Sequence, residues 1–202
     1  FPGMLHARGI SWSKIAVHLF IDPNSMLGIP LAIVSTIVVA FILFGQVLFA
    51  SGGGDFFTDL AMSVMGRFRG GAAKISILAS ALFGTISGSP VANVVVDGAI
   101  TIPMMVRTGY KPHVAAAVES VASNGGQLMP PVMGAAAFVM AEFLGMPYAQ
   151  VAIAAAIPAI LYYLALFVQV DLEAGKTGIT RIPSENIPSL IRVLRRGWVF
   201  II

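Results

Sequence analysis

Phe83-Gly84-Thr85-Ile86-Ser87-Gly88-Ser89-Pro90-Val91-Ala92-Asn93 decides how the rest of this chain is read. Glycine, threonine, serine, proline and asparagine crowd together there, with apolar sequence on both sides. A bilayer core offers a broken helix no hydrogen-bond partners, so such an interruption is tolerated only against protein or a watery cavity. Secondary transporters hold ions and substrates at breaks of this kind. The stretch therefore points to a binding site at membrane depth.

The composition supplies the membrane. The chain is 57% hydrophobic and 10% charged, with a mean hydropathy of +0.90, whereas a soluble domain carries about 25% charged residues. There are no cysteines, which removes disulfides, thiolate catalysis and Cys-ligated metals from consideration. The net charge is +3, and its placement carries more information than its sum. The sequence opens on Phe1 with no signal peptide ahead of the first span. It closes on Trp198-Val199-Phe200-Ile201-Ile202, which reads as the first residues of another span. The expectation is a piece of a longer polytopic protein.

Outward from the opening stretch, the apolar segments 71–86 and 90–106 measure roughly 24–26 Å each as helices, somewhat short for the ~30 Å hydrocarbon core. Ser87-Gly88-Ser89 joins them, and Pro90 suits the first turn of the second. A re-entrant hairpin over 71–106 satisfies these features, with its polar tip inside the membrane. Upstream, residues 1–26 are mixed and contain His6, Arg8, Lys14, His18 and Asp22; residues 27–50 form a charge-free run long enough to cross. Residues 55–70 read as an interfacial amphipathic helix, with Phe56, Leu60, Val64 and Phe68 at helical spacing. Downstream, residues 112–144 read as one crossing helix broken at Ser123-Asn124-Gly125-Gly126-Gln127-Leu128-Met129-Pro130-Pro131, where two glycines and two prolines forbid a continuous ladder. Residues 148–170 form a further span. Residues 171–197 form a polar connector, with Pro183, Pro188 and an interfacial helix near 187–196, and 198–202 begin the next span.

The charges agree with this topology. With the hairpin base on the cytoplasmic side, Arg67, Arg69, Lys74, Arg107 and Lys111 lie inside. One crossing and a return then place Lys176, Arg181, Arg192, Arg195 and Arg196 inside too, ten of the 12 Lys and Arg residues. The positive-inside rule favours that arrangement. Two full crossings at 71–106 would leave the basic ends on the same side, so only the short lengths and the polar tip favour a hairpin.

Two polar clusters carry the candidate chemistry. Ser87, Gly88, Ser89 and Asn93 offer hydroxyl, amide and carbonyl oxygens suited to a hard cation such as sodium, and half-helix ends suited to an anion. The structural alternative is helix packing, since Gly84 and Gly88, like Gly66 and Gly70, make a GxxxG spacing. Ser123, Asn124, Gly125, Gly126, Gln127, Pro130 and Pro131 form the second cluster, read either as an unwound helix completing the same site or as a plain proline kink. Two interruptions in one short stretch favour a shared site. Asp97 and Glu119 are intramembrane carboxylates that cost about 2.5–3.5 kcal/mol each to insert. Both are candidates for ion coupling, while Glu142 lies near the outer end. A serine hydrolase at Ser87 needs a histidine at the same depth, and the three histidines are His6, His18 and His113, the last beside Lys111 at the basic end. There is no P-loop and no metal-ligand cluster beyond a sodium site.

Residues 66–74, Phe83 to Asn93, Thr101-Ile102-Pro103-Met104-Met105 with Gly109-Tyr110, and 117–134 together resemble the large membrane subunit of TRAP transporters (tripartite ATP-independent periplasmic transporters), in particular the TAXI type in which small and large membrane subunits are fused. The resemblance runs from about Leu27 to Gly178. It implies an all-α integral membrane fold, one inverted-repeat half of an elevator-type transporter with a re-entrant helical hairpin and a broken transmembrane helix. It implies an ion-coupled importer of small organic acids, usually carboxylates, coupled to sodium or protons and needing no cofactor. Its partners would be a periplasmic substrate-binding protein and the small membrane subunit, in a bacterial or archaeal cytoplasmic membrane, with no nucleic acid. On the resemblance, Ser87, Gly88, Ser89 and Asn93 match the first hairpin tip and 123–131 the first broken helix, together holding one ion and half of the substrate site. The second repeat is not in this sequence. The more common Pro-Pro-Ser is Pro130-Pro131-Val132 here, which removes a hydroxyl from position 132. A binding-protein-independent dicarboxylate carrier is the alternative within transport.

Overall fold

The computed structural model describes residues 10–23, 25, 27–179, 182 and 187–200. Arg8 and His6 of the N-terminal segment, Arg181 and Pro183 of the polar connector, and the final Ile201-Ile202 lie outside the described residues. Among the described residues the regular structure is helical throughout. Three stretches are long and apolar enough to cross a membrane: Ile29–Leu48, Pro90–Arg107 and Tyr148–Thr177.

A short helix, α1 (Trp12–Ile21), precedes the first apolar run. That run is one rod with a wide turn in it: α2 (Ile29–Ile33) passes through π-helical Val34–Val38 into α3 (Val39–Ala50). Ser35 and Thr36 account for the wide turn. Their hydroxyls donate to the Ala32 carbonyl at 3.2 and 2.6 Å and compete for it with the regular ladder.

Next comes α4 (Gly53–Met65), which starts and ends earlier than the amphipathic stripe predicts. The stripe also divides. Phe56 is buried and Leu60 half-buried, but Val64 and Phe68 are exposed. The buried face is instead Phe56, Phe57 and Ala61, which packs against the next helix. At the far end of this face Asp59 shares a cavity of about 460 Å³ with Asp55 and Arg196. Burial pushes the Asp59 carboxyl above its ordinary range, and the Arg196 guanidinium opposes that rise.

The centre of the molecule is α5 (Gly71–Ser87), with α6 (Pro90–Arg107) and α7 (Pro112–Gly125) against it. The buried residues of α5 are mostly small: Gly71, Ala72, Ala73, Ser76, Ala79, Ser80, Ala81 and Gly84. Small side chains let helix backbones approach closely, which is how helices associate where no hydrophobic drive exists between them. Gly70 and Gly88, with φ of +64° and +57°, bracket α5 in the left-handed conformation that favours glycine. After α7 the chain passes through a 3₁₀ turn, Gly126–Leu128, and a non-helical stretch to α8 (Ala135–Leu144). The long α9 (Tyr148–Thr177) returns along the bundle and continues beyond the predicted end at 170. A short α10 (Leu190–Arg196) and a 3₁₀ turn at Trp198–Phe200 pack on α4.

The start of α5, the end of α6 and the end of α9 meet at one end of the bundle. Asp171 of α9 accepts from Arg69 and from Lys74, the latter at 2.5 Å. A Cβ on Gly70 would lie 2.7 Å from both the Tyr110 hydroxyl and the Ala174 side chain. The basic residues at these termini are thereby gathered at the end opposite the 87–89 turn.

Candidate functional site

The turn between α5 and α6 is docked on the interruption between α7 and α8. Val132 N–H donates to the Thr85 carbonyl at 3.2 Å. A Cβ on Gly84 would fall 2.4 Å from Gly126 Cα, and a Cβ on Gly88 would fall 1.8 Å from the Met133 carbonyl oxygen. Neither position admits a side chain. The GxxxG spacing therefore does pack helices, and it packs them onto the second interruption.

Within the turn, Ser89 caps α6: its hydroxyl accepts from Ala92 N–H at 3.3 Å. The Ser87 hydroxyl accepts from Ser89 N–H at 3.4 Å. Both serines are half-buried and line a cavity of about 310 Å³ against Phe41, Gly45 and Gln46 of α3.

The interruption is held by its own backbone and by tyrosines of α9. The 3₁₀ geometry turns Gly126 N–H toward the Ser123 and Asn124 carbonyls and releases the Ala122 carbonyl, which accepts instead from the Tyr163 hydroxyl at 3.0 Å. Tyr162 donates to the Val121 carbonyl at 2.7 Å. A Cβ on Gly125 would lie 2.4 Å from the Tyr162 ring, so glycine there admits the tyrosines. Beyond the turn, Gly134 N–H donates to the Gln127 carbonyl at 2.9 Å. Pro130–Pro131 is a cis peptide, and Tyr148 donates to the Pro131 and Val132 carbonyls. Asn124 and Gln127 are exposed and bonded to each other at 2.9 Å.

Four helix ends meet at this junction. α5 and the 3₁₀ extension of α7 arrive with their carbonyl ends; α6 and α8 depart with their N–H ends. Carbonyl ends favour cations and N–H ends favour anions, so the arrangement can hold one of each.

A second polar centre lies between α5, α6 and α7. Glu119 is fully buried and accepts from four hydroxyls: Ser76 at 2.8 Å, Ser123 at 3.0 Å, Ser80 at 3.4 Å, and Thr101. Asp97 and Asn93 are also fully buried. Asn93 donates through Nδ2 to the Ser80 carbonyl at 2.9 Å and lies against Gly126. Its Oδ1 and both Asp97 carboxyl oxygens have no hydrogen-bond partner.

Thus Gly88, Gly126 and the 130–134 backbone come together with the hairpin turn, while Ser123 points away toward Glu119 and Asn124 and Gln127 face outward. Asn93 joins the two centres. Ser76, Ser80, Thr101 and the three α9 tyrosines were not singled out in the sequence. Their signal was present as polar pairs four residues apart: Ser76 with Ser80, Asp97 with Thr101, and Glu119 with Ser123. His113 begins α7, about 18 Å along the helix from the break, so it is not a partner for Ser87.

Comparison with known proteins places the chain among transporter permease subunits. Residues 4–202 match the family model described as the tripartite ATP-independent periplasmic transporter, DctM component. The chain is 30% identical over 159 residues to a C4-dicarboxylate TRAP transporter large permease protein of Pseudomonas aeruginosa, covering 79% of this chain and 35% of that one. It is 31% identical over 112 residues to a 2,3-diketo-L-gulonate TRAP transporter large permease protein of Escherichia coli, covering 54% and 24%. It is 36% identical over 91 residues to an isethionate TRAP transporter permease protein of Oleidesulfovibrio alaskensis, covering 45% and 14%. The chain spans about a third or less of the length of these relatives, which are transporter permease subunits and not enzymes.

Proposed function

The chain belongs to the DctM component family of tripartite ATP-independent periplasmic transporters, and we propose that it forms one half of the transport unit in an ion-coupled importer of small organic acids. The observation that carries this reading is the docking of the 87–89 turn on the 126–134 interruption. Two carbonyl ends and two N–H ends of helices converge there, the geometry that suits a sodium ion beside an anionic substrate group. The carbonyls of the two turns supply hard oxygen ligands, and Ser87 borders the turn on its α3 side. No arginine lies in the turn or the interruption, so the substrate's acid group is met by the start of α6, the start of α8 and the second repeat of the full protein.

The hairpin reading is supported by length. At 1.5 Å per residue, the 17 residues of α5 span about 26 Å and the 30 residues of α9 about 45 Å. Since α5 starts level with the end of α9 at Asp171 and Ala174, its tip falls well short of the other end of α9. In this reading the tip stays inside the bilayer and the basic ends face the cytoplasm. The remaining assignments follow the family: a periplasmic substrate-binding protein delivers the substrate, and a small membrane subunit, fused in the TAXI type, completes the assembly in a bacterial or archaeal cytoplasmic membrane. The inverted second repeat completes an elevator-type carrier.

The test is uptake by the reconstituted full-length protein carrying S87A together with S89A, with and without its binding protein. The expected result is weakened sodium dependence at unchanged protein level, with uptake requiring the binding protein. Unaltered ion dependence removes the tip from the site. Uptake without any soluble partner replaces the binding-protein-dependent mechanism with an independent dicarboxylate carrier.

A further inference from the structure

Glu119 and Asp97 occupy one core and are treated oppositely by it. A carboxylate accepts hydrogen bonds and donates none, with about four lone-pair sites. Glu119 has four hydroxyls from three helices within hydrogen-bond reach, the Thr101 hydroxyl being shared with the Asp97 carbonyl. Asp97 has no donor on either oxygen, and Asn93 Oδ1, one helical turn earlier on α6, has none either. A buried carboxylate with neither donor nor counter-charge is costly enough that the group takes up a proton instead.

Among the described residues, the groups that face Asp97 include no cation. α5 presents Ser76 and Ser80, and α7 presents Glu119. α9 brings Tyr163 within electrostatic range of Asp97. The acids of α4, Asp55 and Asp59, interact with each other and with Arg196 rather than with Asp97. Three orphan oxygens also fall short of the six or more that a hard metal cation gathers. A proton on Asp97 requires only one acceptor; Asn93 lies one turn earlier on α6, and Glu119 lies against Gly98, the next residue. Asn93 in turn touches Gly126, so a polar row leads along one face of α6 from Asp97 to the junction.

We propose that Asp97 is an exchangeable proton site of the transport unit: one proton rides on the Asp97 carboxyl beside the hydroxyl-locked Glu119 carboxylate and is taken up and released during the transport cycle. The role in the cycle rests on the transporter reading above, but the proton site is separate from the 87–89 tip and can be observed without turnover.

Infrared difference spectroscopy of the purified full-length protein, wild type against D97N, is the test, paired with uptake driven by a pH gradient. The asparagine is close in size and uncharged, so D97N is expected to fold with an unchanged or higher melting temperature. Wild type should show a protonated-carboxyl band that titrates with pH and is missing from D97N, and D97N should lose stimulation of uptake by an inward proton gradient. A band that does not titrate, with pH-driven uptake intact in D97N, makes Asp97 a fixed structural acid and overturns the proposal. So does absence of the band combined with sodium-dependent stabilisation that D97N abolishes, which assigns a metal cation there. Failure of the S87A and S89A experiment leaves the infrared result unaffected, so the two readings fail separately.

Discussion

The hairpin junction and the Glu119 core lie one to two turns apart on α6, yet they are built from different parts of the chain. The junction is made of backbone: glycine against glycine at 84 and 126, glycine against carbonyl at 88 and 133, and one amide shared between Val132 and Thr85. The core is made of side chains: four hydroxyls, two carboxyls and a carboxamide. A backbone site is destroyed by adding atoms, and a side-chain site by removing them. That difference explains why prolines and glycines mark one region in the sequence, while the other is marked by carboxylates whose serine and threonine partners are spread over three helices.

Substitutions that exploit the difference should rank in order. Gly126→Val places a branched side chain where Gly84 Cα and Asn93 already stand. It should cost about 3 kcal/mol, read as a lower melting temperature of the full-length protein in detergent and loss of uptake. Glu119→Ala strips the acceptor from the buried hydroxyls of Ser76, Ser80 and Ser123, while Thr101 keeps the Asp97 carbonyl, and should cost about 2–4 kcal/mol. Glu119→Gln keeps one acceptor oxygen and should cost clearly less. Equal losses for the two variants would mean that the hydroxyls do not depend on the carboxylate. Thr101→Val removes, at nearly constant volume, the hydroxyl shared between the Asp97 carbonyl and Glu119, a loss of about 1.5 kcal/mol. Tyr163→Phe leaves the Ala122 carbonyl without its partner and should cost about 1 kcal/mol, with faster amide exchange confined to 122–128. Ser89→Ala removes the α6 cap, the smallest effect at about 0.5–1 kcal/mol.

Much of the architecture was legible because lipid makes the rules strict. Apolar runs, basic termini and the two interruptions are visible in the residues themselves, and so is the family, through the 83–93 and 117–134 stretches. The division of labour within the interruptions was not. Ser123 and Ser87 are alike as residues, but the turn of α7 aims Ser123 at Glu119 while Ser87 faces α3. Helical phase decides that, and phase within a short broken segment cannot be counted reliably from sequence. The stripe Phe56, Leu60, Val64 and Phe68 misled for a related reason. Four-residue spacing describes a surface helix, and α5 instead buries Ala61 against Ile75 and Ala79 and Phe57 in the cluster of Phe83. The tyrosines of α9 were hidden because their partners are backbone carbonyls, which leave no trace in residue type.

The central claim is that the hairpin turn and the broken helix form one ion-responsive site, and a cysteine pair tests it most directly. This stretch of the protein has no cysteine, and the Val132 N–H bond to the Thr85 carbonyl brings the two backbones into direct contact. T85C with V132C, in a full-length protein otherwise free of cysteine, is predicted to form a disulfide readily in membranes, at a rate that sodium changes. A pair that stays reduced, or that oxidises at the same rate with and without sodium, would contradict the account.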